Sequence, residues 1–288
     1  MIHWFVEPGF WSNPVVGTAL VLGAVVAVVS AAVGVMVVVR GQSFAGHALT
    51  DVAMAGGAGA SLVGASPLVG FLLAGIVGGG SIEAAGAERI RDRDVGTGVV
   101  LGAAAGLTAL FLYFVSSSTS ATGSTQSVLF GSVFTVSPSV VPLSLAVAAA
   151  TLATLFIVRR PLLLSSLSPE LAAARGVRPR AMGLLFVLVL AASVALSALV
   201  IGAILSTALL VGPAFAALRV ARGLVGATLG AIVAGVAAVE LGILLSYDSF
   251  YWSAAHRSVP VSACVVGVVL VEVAASAVWS RLRRGRGR

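Results

Sequence analysis

The residues best placed to do chemistry are His47 and Asp51, four apart in Gly46-His47-Ala48-Leu49-Thr50-Asp51. On a helix that spacing puts an imidazole nitrogen and a carboxylate oxygen on one face. Both follow Arg40 in an otherwise apolar stretch, and at about 1.5 Å per residue they lie roughly 10–16 Å along a helix from it. Ionisable groups at that depth in a bilayer cost several kcal/mol and mark a pathway or a partner. One nitrogen and one oxygen ligand suit Zn²⁺, Mn²⁺ or Fe²⁺, and binding a cation would offset the cost of burying them. Two other roles fit the same pair: a His–Asp hydrogen bond stapling one helix to another, and a proton relay.

The remaining candidates are thinner. Asp248 and His256 flank a polar, aromatic stretch and could form a second, outward-facing ligand pair, or simply belong to a solvated loop. Glu240 and Glu272 are isolated in apolar runs, where helix–helix hydrogen bonding is the expected role. Met54 and Cys264 read as packing residues, and with one cysteine there is no intrachain disulfide. No HExxH is present, no GxSxG stands near a usable histidine, and a chain without lysine has no GxxxxGK[ST] phosphate loop. The chain is therefore expected not to be an enzyme; any ATP hydrolysis falls to another polypeptide.

The elements that must position these groups follow from composition. Hydrophobic residues make up 59% of the 288 and charged residues 9%, against roughly 25% charged in a soluble domain. Mean hydropathy is +1.12. Apolar runs long enough to cross a hydrocarbon core of about 30 Å recur throughout. They predict one all-α, polytopic transmembrane bundle over residues 1–288, with spans near 14–39, 44–65, 67–86, 95–116, 138–158, 181–199, 201–218, 223–246 and 258–280. That is about nine spans, with 8–10 compatible. The segment 183–220 is the ambiguous one: it is too long for one helix and is divided only by Ser193, Ser197 and Gly202.

Arginine sets the orientation. With the N-terminus outside, 16 of the 17 arginines fall in predicted cytoplasmic segments and only Arg257 lies outside, as the positive-inside rule requires. The C-terminus is then cytoplasmic. Met1–Asn13 has no Lys or Arg and reads as an external segment rather than a secretory signal. The net charge of +7 is a consequence of topology, so no nucleic-acid partner is implied. The basic tail 281–288 also fits an anionic lipid surface.

Ser116–Ser127 and Tyr247–Ser258 read as external loops, and Arg159–Arg180 as the one sizeable internal loop. Within the internal loop a short helix is expected, capped by Ser168, with Pro169 at its first position, Glu170 in its first turn and Gly176 as its stop. The 34 glycines, in runs such as Gly56-Gly57-Ala58-Gly59-Ala60, let helices approach closely. They would also tolerate local unwinding of the His47–Asp51 helix.

Four ordered stretches resemble the permeases of zinc/manganese-type and related iron ABC importers, over nearly the full length. Ser43-Phe44-Ala45-Gly46-His47-Ala48-Leu49-Thr50-Asp51 is similar to the family's "AFLGDALSHAVLPG" segment. Leu129-Phe130-Gly131-Ser132 with Val136-Ser137 is similar to its "LFGS…VS" segment. Ser168-Pro169-Glu170-Leu171-Ala172 with Arg175-Gly176-Val177 looks like its "DPELA…GV" coupling loop, and Gly202–Ala214 like "VGILLVSALLVIPAA". Three departures stand out. The family's Asp and His are exchanged as His47 and Asp51, Ala55 replaces a proline, and the compact turn after Tyr247 is expanded through Pro260.

The resemblance implies an ATP-driven importer of a divalent transition metal, zinc favoured and manganese or iron possible. No cofactor is bound permanently; the cation is cargo, held by His47 and Asp51. Implied partners are an ATP-binding cassette ATPase, an extracytoplasmic metal-binding protein, a second permease copy as a homodimer, and the bilayer of the bacterial inner membrane. Residues 159–180 would form the cytoplasmic coupling loop, with Ser168, Pro169, Glu170, Leu171, Ala172, Arg175 and Gly176 engaging the ATPase. Three rivals compete: an ion-coupled secondary transporter, a membrane enzyme using His47 and Asp51 as acid and base, and a permease for a metal chelate.

Overall fold

A computed structural model describes residues 10–85, 90–118, 133–134, 140–252 and 258–285. Ten α-helices account for almost all of them: α1 Pro14–Val39, α2 Ser43–Leu62, α3 Pro67–Ala85, α4 Ile90–Ser118, α5 Val141–Leu167, α6 Pro169–Ala174, α7 Pro179–Val200, α8 Ala203–Val220, α9 Leu224–Trp252 and α10 Val261–Gly285. The nine long helices coincide one for one with the nine predicted segments, and no strand occurs among the described residues.

Six of them are long and apolar enough to cross a membrane: α1, α4, α5, α7, α9 and α10. α3 and α8 contain shorter apolar stretches, Pro67–Ile82 and Ser206–Val220. α2, at 20 residues, is long enough but not apolar enough, because His47, Thr50 and Asp51 dilute its hydropathy. The helix carrying the candidate site is thus a long one without a span-length apolar window.

α1 and α7 form the centre of the bundle and are mostly buried. Asn13 caps α1 by accepting a hydrogen bond from Val15 N at 3.0 Å, with Pro14 at the first helical position. α1 packs against α7, α8 and α9; α2 packs between α3 and α4; α5 lies on α7, and α10 on α8 and α9. Ser30 and Ser197 share a 2.6 Å hydrogen bond across α1 and α7, and Ser197 Oγ also donates to Ser193 O. Ser193 and Ser197, read from sequence as part of a division within 183–220, instead sit inside α7, where Ser197 ties it to α1.

The division itself falls at Ile201-Gly202. Gly202 has φ +99° and ψ 149°, a conformation open essentially to glycine alone. It separates α7 from α8 with two residues, so two helices with almost no connection form here.

Glycine-rich α2 stays helical from Ser43 to Leu62. A Cβ on Gly56 would overlap the carbonyl of Gly70 on α3, and one on Gly70 would overlap the carbonyl of Gly56. Gly57 lies against the Phe71 ring. The glycines therefore serve close packing of α2 on α3, and no unwound turn is present in α2. Replacement of the family's proline by Ala55 accompanies this continuous helix.

Two loop expectations need correction. α5 runs nine residues beyond its predicted end, through Arg159, Arg160 and Pro161 to Leu167, so most of the segment 159–180 is helical. Pro161 removes one backbone hydrogen bond. Burial of Leu162 and Ser165, and stacking of Arg159 on the Phe156 ring at 4.1 Å, hold the helix past it. α9 likewise continues to Trp252, so Tyr247–Trp252 is helix rather than loop. There Tyr247 packs edge-on against Phe10 and tilted against Tyr251 one turn on. Ser246 Oγ donates to Val259 O, and Val259 N donates to Ser249 Oγ, closing the chain back toward α10.

Candidate metal site

His47 and Asp51 project from the first half of α2, one turn apart as the spacing requires. The His47 side chain is exposed in the single chain, Asp51 is half-buried, and the two interact electrostatically. The apolar residues around them face the other way: Ala45, Ala48, Leu49, Ala53 and Met54 are buried in the core.

The ring of His47 is tied to a different helix. Its Nδ1 lies 3.3 Å from Thr207 Oγ1 on α8. Thr207 Oγ1 is in turn 3.4 Å from Thr50 Oγ1, which donates to Gly46 O at 3.0 Å and accepts from Ser206 Oγ at 3.4 Å. On the far side of α2, Thr108 of α4 donates to the backbone carbonyl of Asp51 at 3.5 Å. The site is thus built from α2, steadied by α8 on one flank and α4 on the other.

Sequence reasoning missed this hydroxyl cluster. Thr50 was a legible signal, since it lies between His47 and Asp51 on the same turn of α2. Ser206-Thr207 stood in a quoted motif, yet nothing in the chain order brings α8 to α2.

Among the described residues, no three His, Cys, Asp or Glu side chains come together to hold a metal ion. Among the described residues, His47 and Asp51 are thus the His, Cys, Asp or Glu side chains brought together at this place. Of the second expected pair only Asp248 is described, fully buried in α9 rather than placed on a loop; His256 lies outside the described residues. Leu129–Ser132 and Val136-Ser137 also lie outside the described residues. Glu272 Oε2 is buried in α10 without a hydrogen-bond partner, so the expected helix–helix hydrogen bond does not form at that oxygen.

The short helix α6 forms as its sequence predicts. Ser168 Oγ accepts from Leu171 N at 3.3 Å, Pro169 opens the helix, and Glu170 stands in the first turn. Gly176, at φ +77°, ends it: Gly176 N donates to Ala173 O and Val177 N to Ala172 O, the paired pattern of a glycine-terminated helix. Ala172 is buried while Glu170 and Leu171 are exposed, so the helix presents a polar–apolar pair on its surface.

The model of the ABC 3 transport family matches residues 12–276, and the chain belongs to that family. It is a multi-pass membrane transport protein. Among its relatives, the manganese import system permease protein ScaB of Streptococcus parasanguinis is 25% identical over 248 residues, covering 86% of this chain and 84% of the relative. A probable iron transport system membrane protein of Haemophilus influenzae is 25% identical over 98% of this chain and 99% of its own. In fold, the chain matches PsaBC from Streptococcus pneumoniae in complex with Fab at a TM-score of 0.79 and 24% identity, covering 93% of this chain and 92% of that one.

Proposed function

We propose that the chain is the membrane permease subunit of an ATP-driven importer of a divalent transition metal, with His47 and Asp51 as its cargo ligands. The observation that carries this reading is the pair itself: a nitrogen and an oxygen ligand on one face of a 20-residue helix that is not apolar enough to count among the candidate spans, with His47 open on the single chain. A second copy would bring the ligand count to two histidines and two carboxylates, which suits a first-row divalent cation. The sequence favoured zinc. The relatives carry names for manganese and iron, and carboxylates accommodate the oxygen-rich shell of manganese, so manganese leads in this proposal.

The rest of the assembly follows. The N-terminus lies outside and the C-terminus in the cytoplasm, in the orientation demanded by the arginines. A separate ATPase docks on Ser168–Gly176, where Glu170 and Leu171 are presented by a capped helix. An extracytoplasmic binding protein delivers the cation, which must be held weakly enough to be released inward. ATP binding and hydrolysis bias an outward-open/inward-open equilibrium.

Accumulation of Mn²⁺, Zn²⁺ and Fe²⁺ by cells with an intact ATPase partner, compared with a hydrolysis-defective one, tests the energy source. Uptake must vanish with the defective ATPase. Persistent uptake would make the chain an ion-coupled secondary transporter.

A further inference from the structure

We propose that Thr207 is a positioning residue that keeps the proton of neutral His47 on Nδ1, so that Nε2 is the atom offered to the cation. This deepens the metal-site reading above and rests on it for its functional consequence. The polarity of the hydroxyl cluster follows from its anchor. A hydroxyl has one hydrogen to give and two lone pairs to receive with. Thr50 Oγ1 gives its hydrogen to the Gly46 carbonyl at 3.0 Å. Toward Ser206 Oγ and Thr207 Oγ1, both at 3.4 Å, it is therefore the acceptor.

Thr207 then gives its single hydrogen to Thr50, and toward His47 Nδ1 at 3.3 Å it has only a lone pair to offer. The facing nitrogen must carry the hydrogen. The relay runs from His47 Nδ1–H to Thr207, from Thr207 to Thr50, and from Thr50 to the Gly46 backbone. In a neutral imidazole this leaves the Nε2 lone pair bare. Both ligands belong to α2, but the His47 ring is held from α8, so its orientation toward Asp51 is kept only while the two helices stay together. An outer-shell partner of this kind changes metal affinity by roughly 10–100-fold when removed.

The test uses full-length protein in lipid nanodiscs, labelled with ¹⁵N-histidine, without metal and at a pH where imidazole is neutral. Three histidines are present, and the His47 signals are those lost in His47→Asn. Wild type is expected to show protonated Nδ1 and bare Nε2. Thr207→Val should shift His47 toward protonated Nε2, and Thr207→Ser, which keeps the hydroxyl, should restore the wild-type pattern. A wild-type His47 protonated on Nε2, or a Thr207→Val protein that keeps Nδ1–H, would overturn the proposal. Mn²⁺ affinity should fall about 10–100-fold in Thr207→Val and recover in Thr207→Ser. Since the tautomer is read without metal, a wrong tautomer sinks the relay alone. A correct tautomer in a protein that binds no Mn²⁺ sinks the metal reading and leaves the relay standing.

Discussion

Arg40 donates from its guanidinium to Ser166 Oγ at 2.6 Å, joining the short α1–α2 connection to the last turn of α5. The same guanidinium nitrogen reaches the Leu162 carbonyl at 3.4 Å, and the group lies 5.0 Å from the centre of the Phe186 ring. Two residues beyond Ser166, Ser168 both ends α5 and caps α6. Seven residues beyond Arg40 stands His47. The proposed ATPase-docking helix and the proposed cargo helix are thus connected through one charged side chain.

Arg40→Gln should therefore lower uptake while leaving cargo binding in place. Loss of a charge-assisted hydrogen bond costs about 1.5–3 kcal/mol. The expected result is a several-fold fall in metal uptake at equal membrane abundance, with unchanged Mn²⁺ affinity for the protein in nanodiscs. Equal falls in uptake and affinity would place Arg40 in the site itself.

The cap of α6 can be separated from its docking surface. Ser168→Ala should destabilise the short helix by about 1 kcal/mol, whereas Glu170→Ala alters only an exposed side chain. Both should reduce ATP-dependent uptake, but only Ser168→Ala should raise local amide exchange over residues 169–176. Full uptake with Glu170→Ala together with Leu171→Ala would remove α6 from the coupling role.

Close packing makes Gly56 intolerant. Gly56→Val must push α2 from the Gly70 carbonyl of α3, and overpacking of this kind costs about 1–3 kcal/mol. The thermal midpoint in detergent should drop by several degrees. Gly17, whose Cβ would meet nothing within 4 Å, supplies the control and should tolerate alanine.

Orientation is open to direct chemistry because Cys264 is the only cysteine. In a Cys264→Ala background, Ser258→Cys should react with a membrane-impermeant maleimide on intact cells. Leu171→Cys should react only after the membrane is opened. The reverse pattern would invert the topology.

Much of the fold was readable because lipid imposes long apolar segments, and all nine long helices answer to predicted segments. The extension of α5 through Arg159, Arg160 and Pro161 was not readable. Charge and proline resemble a helix end, while the stacking on Phe156 and the burial of Leu162 that sustain the helix come from packing. The same holds for Tyr247–Trp252, whose polar aromatic composition reads as a loop but packs on Phe10. At the candidate site, spacing alone singled out the pair His47 and Asp51. Thr207, which is 160 positions beyond His47 in the chain, needed the meeting of α2 and α8. Arg40 was legible only as a topology marker, since its partner Ser166 lies on α5.

The central claim is that His47 and Asp51 carry the cargo. Whole-cell uptake of Mn²⁺, Zn²⁺ and Fe²⁺ by wild type, His47→Ala and Asp51→Ala, at matched membrane abundance, measures it most directly. Each substitution is predicted to abolish uptake of the transported metal, with manganese the one most affected. Wild-type uptake in both variants would contradict the assignment.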